Sequence, residues 1–465
     1  MKFSKLFFLL ACMVLTSCDN SNSNQQSESI TEQVSETVES TESNESSELE
    51  SESSESESKS SEPPSESIES EESESEEEKD PVTVEYNAPS SSAKKVTISQ
   101  LVAKGSTSDY NNLYSITGTV QFPYNYTYGN FDLVDETGYI VVWGLSKNAS
   151  SMSKSGSKYS YSNDKTFNSI NLKAGDVITM ECIYTPYVYG SGYSKPEVSG
   201  YIISKTIMEV APITGRNYTH NEPYNGSYYN SVDGLEGSDL LRGLHNLMLD
   251  THDTYVSYSS LTNTLKRSDP GSSSSEARCF YSGKSTSKFS REHVWAQSLS
   301  GSTSSSSTNL YGETHGGSDI HHIRPVISSY NSLRSNAAFG YVYGPKSGMK
   351  TVSHINGDDN YLTGSVFDPV DAIKGDVARI VMYMYMHYSS SIMNDGSKYS
   401  YLGAMNIYFI MGPNYKEDCF KLLREWNALD PVDDYERNRN EVGYSYQGNR
   451  NPFVDHPSYA DKIWG

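Results

Sequence analysis

The sequence predicts an α+β protein: a small all-β module, then a larger part mixing helices with a few strands, both preceded by an unstructured stalk. Three observations carry this. From about 95 to 210 apolar residues alternate in short runs, the two-residue period of strands. Beyond 235 the period becomes helical, as in Leu240, Leu241, Leu244, Leu247 and Met248. Ahead of both, Asp19 to Asp80 is a tract rich in serine and glutamate with almost no apolar residues, too few to offset the entropy of ordering a chain.

In chain order, Met1-Lys2-Phe3-Ser4-Lys5 is basic and Leu6 to Leu15 apolar. That run is too short to span a bilayer permanently and reads as a secretory signal. It closes on Leu15-Thr16-Ser17-Cys18, which resembles the lipobox of bacterial lipoproteins. The resemblance implies cleavage before Cys18, acylation of its sulfur and a membrane anchor holding the protein at the cell surface. Ordinary secretion with an incidental cysteine is the simpler alternative. The stalk, taken as 19–92, contains 22 acidic residues against two lysines between 19 and 80, a net −20 of the whole-chain −23. Residues 240–465 carry 21 Lys/Arg against 23 Asp/Glu. The acidity therefore belongs to the stalk and does not exclude a polyanionic substrate. Cys182, Cys279 and Cys419 are scattered, with no C-x-x-C spacing; they make neither a disulfide framework nor a zinc knuckle, and are expected to be buried.

The all-β module is assigned to 93–212. Its expected strands are Tyr114–Val120, Asn130–Val134, Tyr139–Trp143, Asp176–Tyr184 and Glu197–Ile203, with Asp135-Glu136-Thr137-Gly138 as a tight turn. Five such strands suggest a small barrel, and their order and turn phrases resemble OB-fold domains. Tyr124, Tyr126, Tyr128, Tyr184, Tyr187 and Tyr189 invite a base-stacking platform, but in a tyrosine-rich chain they are read as strand-surface filling. Residues 213–234 are taken as a linker, and 235–465 as the second domain. Its first helix is expected to be capped by Ser238, with His245 at the surface. Further helices are expected through Ile373–Tyr388 and Cys419–Trp426.

The stretch Ser318 to Gly340 carries the polar residues that packing does not require. Asp319 to Arg324 alternates like a strand, Pro325 suits the first turn of a helix, and Gly340 suits its C-cap. Upstream, Arg291-Glu292-His293-Val294-Trp295 sets a carboxylate beside an imidazole.

These segments resemble the bacterial endonuclease I family, of the ββα-metal (His-Me finger) nucleases. The match rests on Glu292-His293-Val294-Trp295, Asp319-Ile320-His321-His322-Ile323-Arg324-Pro325 and Asn331-Ser332-Leu333-Arg334-Ser335-Asn336. It continues in Lys374-Gly375-Asp376-Val377-Ala378-Arg379 and in Gln447-Gly448-Asn449-Arg450-Asn451-Pro452. It implies a ββα-metal nuclease domain and a monomeric, sequence-nonspecific endonuclease leaving 5′-phosphate ends on DNA, with RNA as a further substrate. His293 is the expected general base, its ordinary pKa lying near working pH. Glu292 and Asn331 are the expected ligands of Mg²⁺, with Ca²⁺ or Mn²⁺ as substitutes, since hard cations take few protein oxygens and complete their shell with water. Arg324, Arg334 and Arg450 are candidates to clamp phosphate, or else to pair with carboxylates such as Asp319, Asp368 or Asp376. His321 and His322 are expected to orient neighbours in the pocket. Two rivals stand beside this: a non-catalytic nucleic-acid-binding lipoprotein, and a zinc phosphoesterase built on His315, His321 and His322.

Overall fold

Alternation builds the N-terminal half. The computed structural model describes residues 81–190, 192–210, 213–299, 316–388, 407–413 and 416–465; Cys18, the signal, the stalk up to 80, the serine loop 300–308 and His315 lie outside the described residues. All five expected strands form: β1 (Asp109–Val120), β2 (Asn130–Asp135), β3 (Gly138–Ser146), β4 (Val177–Tyr184) and β5 (Glu197–Thr206). β2 and β3 join through the expected turn, where Asp135 Oδ1 accepts from Thr137 N at 2.8 Å and Gly138 N at 3.0 Å. β1 pairs with β2, β2 with β3, β3 in parallel with β5, β5 with β4, and β4 again with β1. Residues 83–85, expected in the stalk, extend this sheet along β5.

One face of β2 places Phe131 and Leu133 in a core with Ile140, Val142, Met180 and Ile202. Its other face is buried as well. Val134 packs with Val342, Met349 and Val366, and Asp132 Oδ2 accepts from Thr363 Oγ1 and Ser365 N at 2.8 and 2.6 Å. The sheet-rich region thus packs on the C-terminal half. Residues 213–229, expected as linker, also dock there: Tyr218 N donates to Asp461 and Tyr229 Oη to Asp455. Of the tyrosines, Tyr184 is buried, Tyr126 packs on Phe167, and Tyr187 stacks edge-on against Tyr189.

The C-terminal half is mostly helical. Its first helix is α1 (Gly237–Thr251), with Leu240, Leu244 and Met248 inward. The residue at its N-cap is Glu236 rather than Ser238. His245 is buried rather than exposed, and Nδ1 donates to Met386 O at 2.7 Å. Then come β6 (Ser290–His293), β7 (Ile323–Val326) and α2 (Ser328–Arg334). A small four-stranded sheet (Ala338–Phe339, Val366–Asp368, Asp359–Leu362, Lys350–Ser353) leads to α3 (Lys374–Tyr388), α4 (Lys416–Leu429) and α5 (Asp434–Gln447). α3 is buried on every side, so it is the central helix rather than a one-faced one. Its basic side chains Arg379 and Lys374 are matched: Arg379 is bonded to Glu436, and Lys374 lies 3.0 Å from Asp368. Asp433 caps α5, and Gly448, at φ +84°, ends it. The three thiols are buried and unpaired. No helix among the described residues is long and apolar enough to cross a membrane.

Candidate active site

β6 and β7 form an antiparallel hairpin in the register Glu292↔Arg324 and His293↔Ile323, and α2 follows at once. Three local expectations change here. The segment 319–322 is a turn closed by His322 N and Ile323 N on Asp319 O, not a strand. Pro325 lies inside β7 rather than in a helix, tolerable in a two-stranded pair with no further ladder to supply. α2 ends at Ser335, itself in positive φ, so Gly340 is no cap.

Glu292 is buried. Its Oε1 accepts from Tyr281 Oη at 2.7 Å and from Arg334 Nη1 at 3.1 Å. Burial raises its pKa, with Arg334 and Tyr281 pulling the other way. Arg334 also holds the carbonyls of His293 and Val294, at 3.1 and 2.8 Å. Asn331 lies three residues before Arg334, so both occupy the helix side that faces β6. The Asn331 amide makes no hydrogen bond among the described residues, nor does Glu292 Oε2. One carboxylate oxygen and one amide carbonyl are thus uncommitted. That donor set fits a hard divalent cation that keeps most of its waters.

His293, the last residue of β6, is half-buried. Its Nε2 donates to Gly317 O at 3.1 Å, so the lone pair of the neutral ring lies on Nδ1. Burial first, then the neighbouring His322, lowers its pKa to about 3; the ring is neutral at working pH. It stacks at 5.8 Å and 16° on Tyr258; the Arg291 guanidinium lies 3.8 Å from the centroid of the same ring, and its Nη1 donates to Tyr258 O at 2.6 Å.

The three candidate phosphate arginines are all paired with carboxylates, the alternative the sequence left open. Arg324 is buried between Asp269 (3.1 Å) and Asp376 (2.5 Å), Arg334 is on Glu292, and Arg450 is on Asp455 and Glu441. Each holds at least one buried carboxylate that would be stranded without it, while Nε of Arg324 and of Arg334 has no hydrogen-bond partner among the described residues. Arg291 is the half-buried cation beside His293, and nothing in its spacing marked it. His322 Nε2 accepts from Trp295 N at 2.9 Å and Nδ1 donates to Gly316 O at 2.6 Å, which leaves no lone pair for zinc. His321 Nε2 donates to Asn449 O at 3.0 Å. Its ring lies so close to Gly443 that an added Cβ there would sit 2.3 Å from Cε1. The Gln447–Asn451 block supports this turn: Ile320 N donates to Gln447 Oε1 and Gln447 Nε2 to Asp319 Oδ1, at 2.6 and 3.0 Å.

Among the described residues, His252, Asp319 and His387 also gather, one ligand atom from each lying within 4.8 Å of the others. His252 and His387 escaped the sequence reading because each stands alone at a helix end, with no motif around it.

A sequence profile described as Endonuclease I matches residues 235–458. The extracellular ribonuclease of Bacillus subtilis (strain 168) is 36% identical over 253 residues, covering 51% of this chain and 78% of the relative. The extracellular ribonuclease of Bacillus amyloliquefaciens is 34% identical over 262 residues, with the same two coverages. Glu292, His293, Asn331 and the Gln447–Asn451 block all lie inside the profile match, and on these comparisons the chain belongs to the endonuclease I family and is a nuclease.

Proposed function

We propose that this is an extracellular, divalent-cation-dependent, sequence-nonspecific endonuclease that hydrolyses RNA and DNA to 5′-phosphate products, held at the cell surface by an acylated Cys18. The observation that carries the chemistry is His293: a neutral imidazole fixed by its Nε2–H on Gly317 O, one residue from a buried carboxylate. Nδ1 takes the proton of the attacking water. A water nucleophile needs no 2′-hydroxyl, so the same site serves both nucleic acids. The names of the relatives, extracellular ribonucleases, support an RNA substrate and an extracellular site of action.

Glu292 Oε2 and the Asn331 carbonyl would hold Mg²⁺, which when bound offsets charge on the phosphate and on the departing oxygen. Tyr281 and Arg334 fix the Glu292 carboxylate from behind, so its orientation is set before substrate arrives. Arg291, stacked on Tyr258, offers its guanidinium to the phosphate backbone beside His293. The closed β1–β2–β3–β5–β4 pairing supports an OB-like barrel for the N-terminal module. The leader and the acidic stretch after Cys18 support a tether.

Plasmid nicking and cleavage of a single-stranded RNA, each with Mg²⁺ or with EDTA, test this in wild type and His293→Ala. Loss of a general base lowers the rate by about 10²–10⁴. Equal cleavage by the alanine variant removes His293 from the mechanism, and full activity in EDTA removes the cation.

A further inference from the structure

The C-terminal half holds a second set of donors, which includes neither Glu292 nor Asn331. Among the described residues there, the buried carboxylates Asp269, Glu292, Asp368, Asp376, Glu436, Asp455 and Asp461 each have a lysine or arginine partner. Asp319, 1% exposed, has none. Neutral donors surround it: the Tyr383 and Tyr388 hydroxyls on Oδ2, both at 2.6 Å, and His321 N and Gln447 Nε2 on Oδ1, at 2.8 and 3.0 Å. These occupy the carboxylate but do not cancel its charge, so one of the hydroxyls turns away when an ion binds; a buried charge is ordinarily paired or bound to a metal. Beside it, His252 Nδ1 and His387 Nε2 face one another at 3.0 Å, and both rings are buried.

We propose that His252, Asp319 and His387 bind a divalent transition-metal ion of the zinc class, as a structural site. Two imidazoles and a carboxylate suit zinc by ligand type, and a site this enclosed gives nucleic acid no access. The ion supplies the counter-charge that Asp319 lacks. It ties together the C-terminal end of α1, the 319–322 turn and the C-terminal end of α3. That turn also carries His322, which holds Trp295 N two residues beyond His293, so the ion sets the register of the hairpin without touching substrate.

The test uses the full chain, purified from zinc-supplemented culture and dialysed against metal-free buffer. Elemental analysis is expected to find about one equivalent of transition metal per chain, retained in Glu292→Ala and lost in the double variant His252→Ala/His387→Ala. Cobalt exchanged into wild type should give d–d absorption that Glu292→Ala keeps. The melting temperature should fall in a strong chelator and recover with Zn²⁺ but not with Mg²⁺. Wild type holding no stoichiometric transition metal and taking up no cobalt overturns the proposal, even if the double variant fails to fold. Metal lost in Glu292→Ala and kept in His252→Ala/His387→Ala also overturns it, by assigning the ion to the catalytic pair.

Discussion

Arg334 Nη1 donates at 3.1 Å to Glu292 Oε1 and at 3.1 Å to the carbonyl of His293, so one buried guanidinium fixes a carboxylate and the backbone of the adjacent histidine. Arg334→Met strands Glu292 in the interior, and breaking a buried pair from one side costs about 3–5 kcal/mol. Denaturant unfolding should show that loss. Arg334→Lys keeps a charge but not the planar fork that reaches three acceptors, so it should stay folded while its kcat falls. A lysine variant with wild-type kcat and unfolding midpoint would show that the clamp does nothing for the site.

The division of labour among the arginines has its own signature. Arg324 is enclosed by Asp269 and Asp376 and stacks at 4.6 Å on Phe280, whereas Arg291 is half-buried beside His293. Arg324→Met should lower stability yet leave the KM of folded molecules, and its dependence on salt, unchanged. Arg291→Ala should raise KM and reduce the log–log salt slope by about one, as loss of one phosphate contact does. The opposite pattern would return Arg324 to the substrate.

The hairpin and its Glu292-His293 pair were legible because residue type and order carry them, as were the β2–β3 turn and the five strands, whose alternation is local. What stayed hidden depends on distant partners. Asp319 looked like a partner for an arginine, but the arginines went to Asp269, Asp376 and Glu292. Arg324 and Arg334 are the same residue type whether they meet phosphate or carboxylate, and only the fold decides. His245 departs from the apolar stripe of α1, yet α3 covers that side as well and buries it. Pro325 reads as a helix start until β6 is seen beside it.

Packing of the sheet-rich region on the C-terminal half includes one very close approach. A Cβ at Gly348 would lie 1.9 Å from Asp135 O and 3.1 Å from Gly138 O, both backbone atoms of the β2–β3 hairpin. Neither can rotate away. Gly348→Ala should therefore cost about 1–3 kcal/mol, as overpacking does, and should hasten proteolytic cutting of the full chain. An alanine variant as stable and as resistant as wild type would mean that the backbone yields at this contact without cost.

Glu197 opens β5 at 6% exposure, with Lys195 Nζ at 4.0 Å its one salt-bridge partner among the described residues. Burial pushes its pKa up to about 7, and Lys195 offsets that only in part. In the unfolded chain the group titrates near ~4.3. Between these values the native state keeps a proton that the unfolded state has released, so this group's contribution to stability is greatest below the lower value. It declines as pH rises towards 7, and is flat beyond. The decline amounts to at most about 4 kcal/mol. Glu197→Gln, which cannot ionise, should lack it. Unfolding free energies measured at pH 5 and pH 8 should therefore favour the glutamine variant over wild type more strongly at pH 8. A difference between the two proteins that stays constant with pH would place the Glu197 carboxylate in a solvated, ordinary environment.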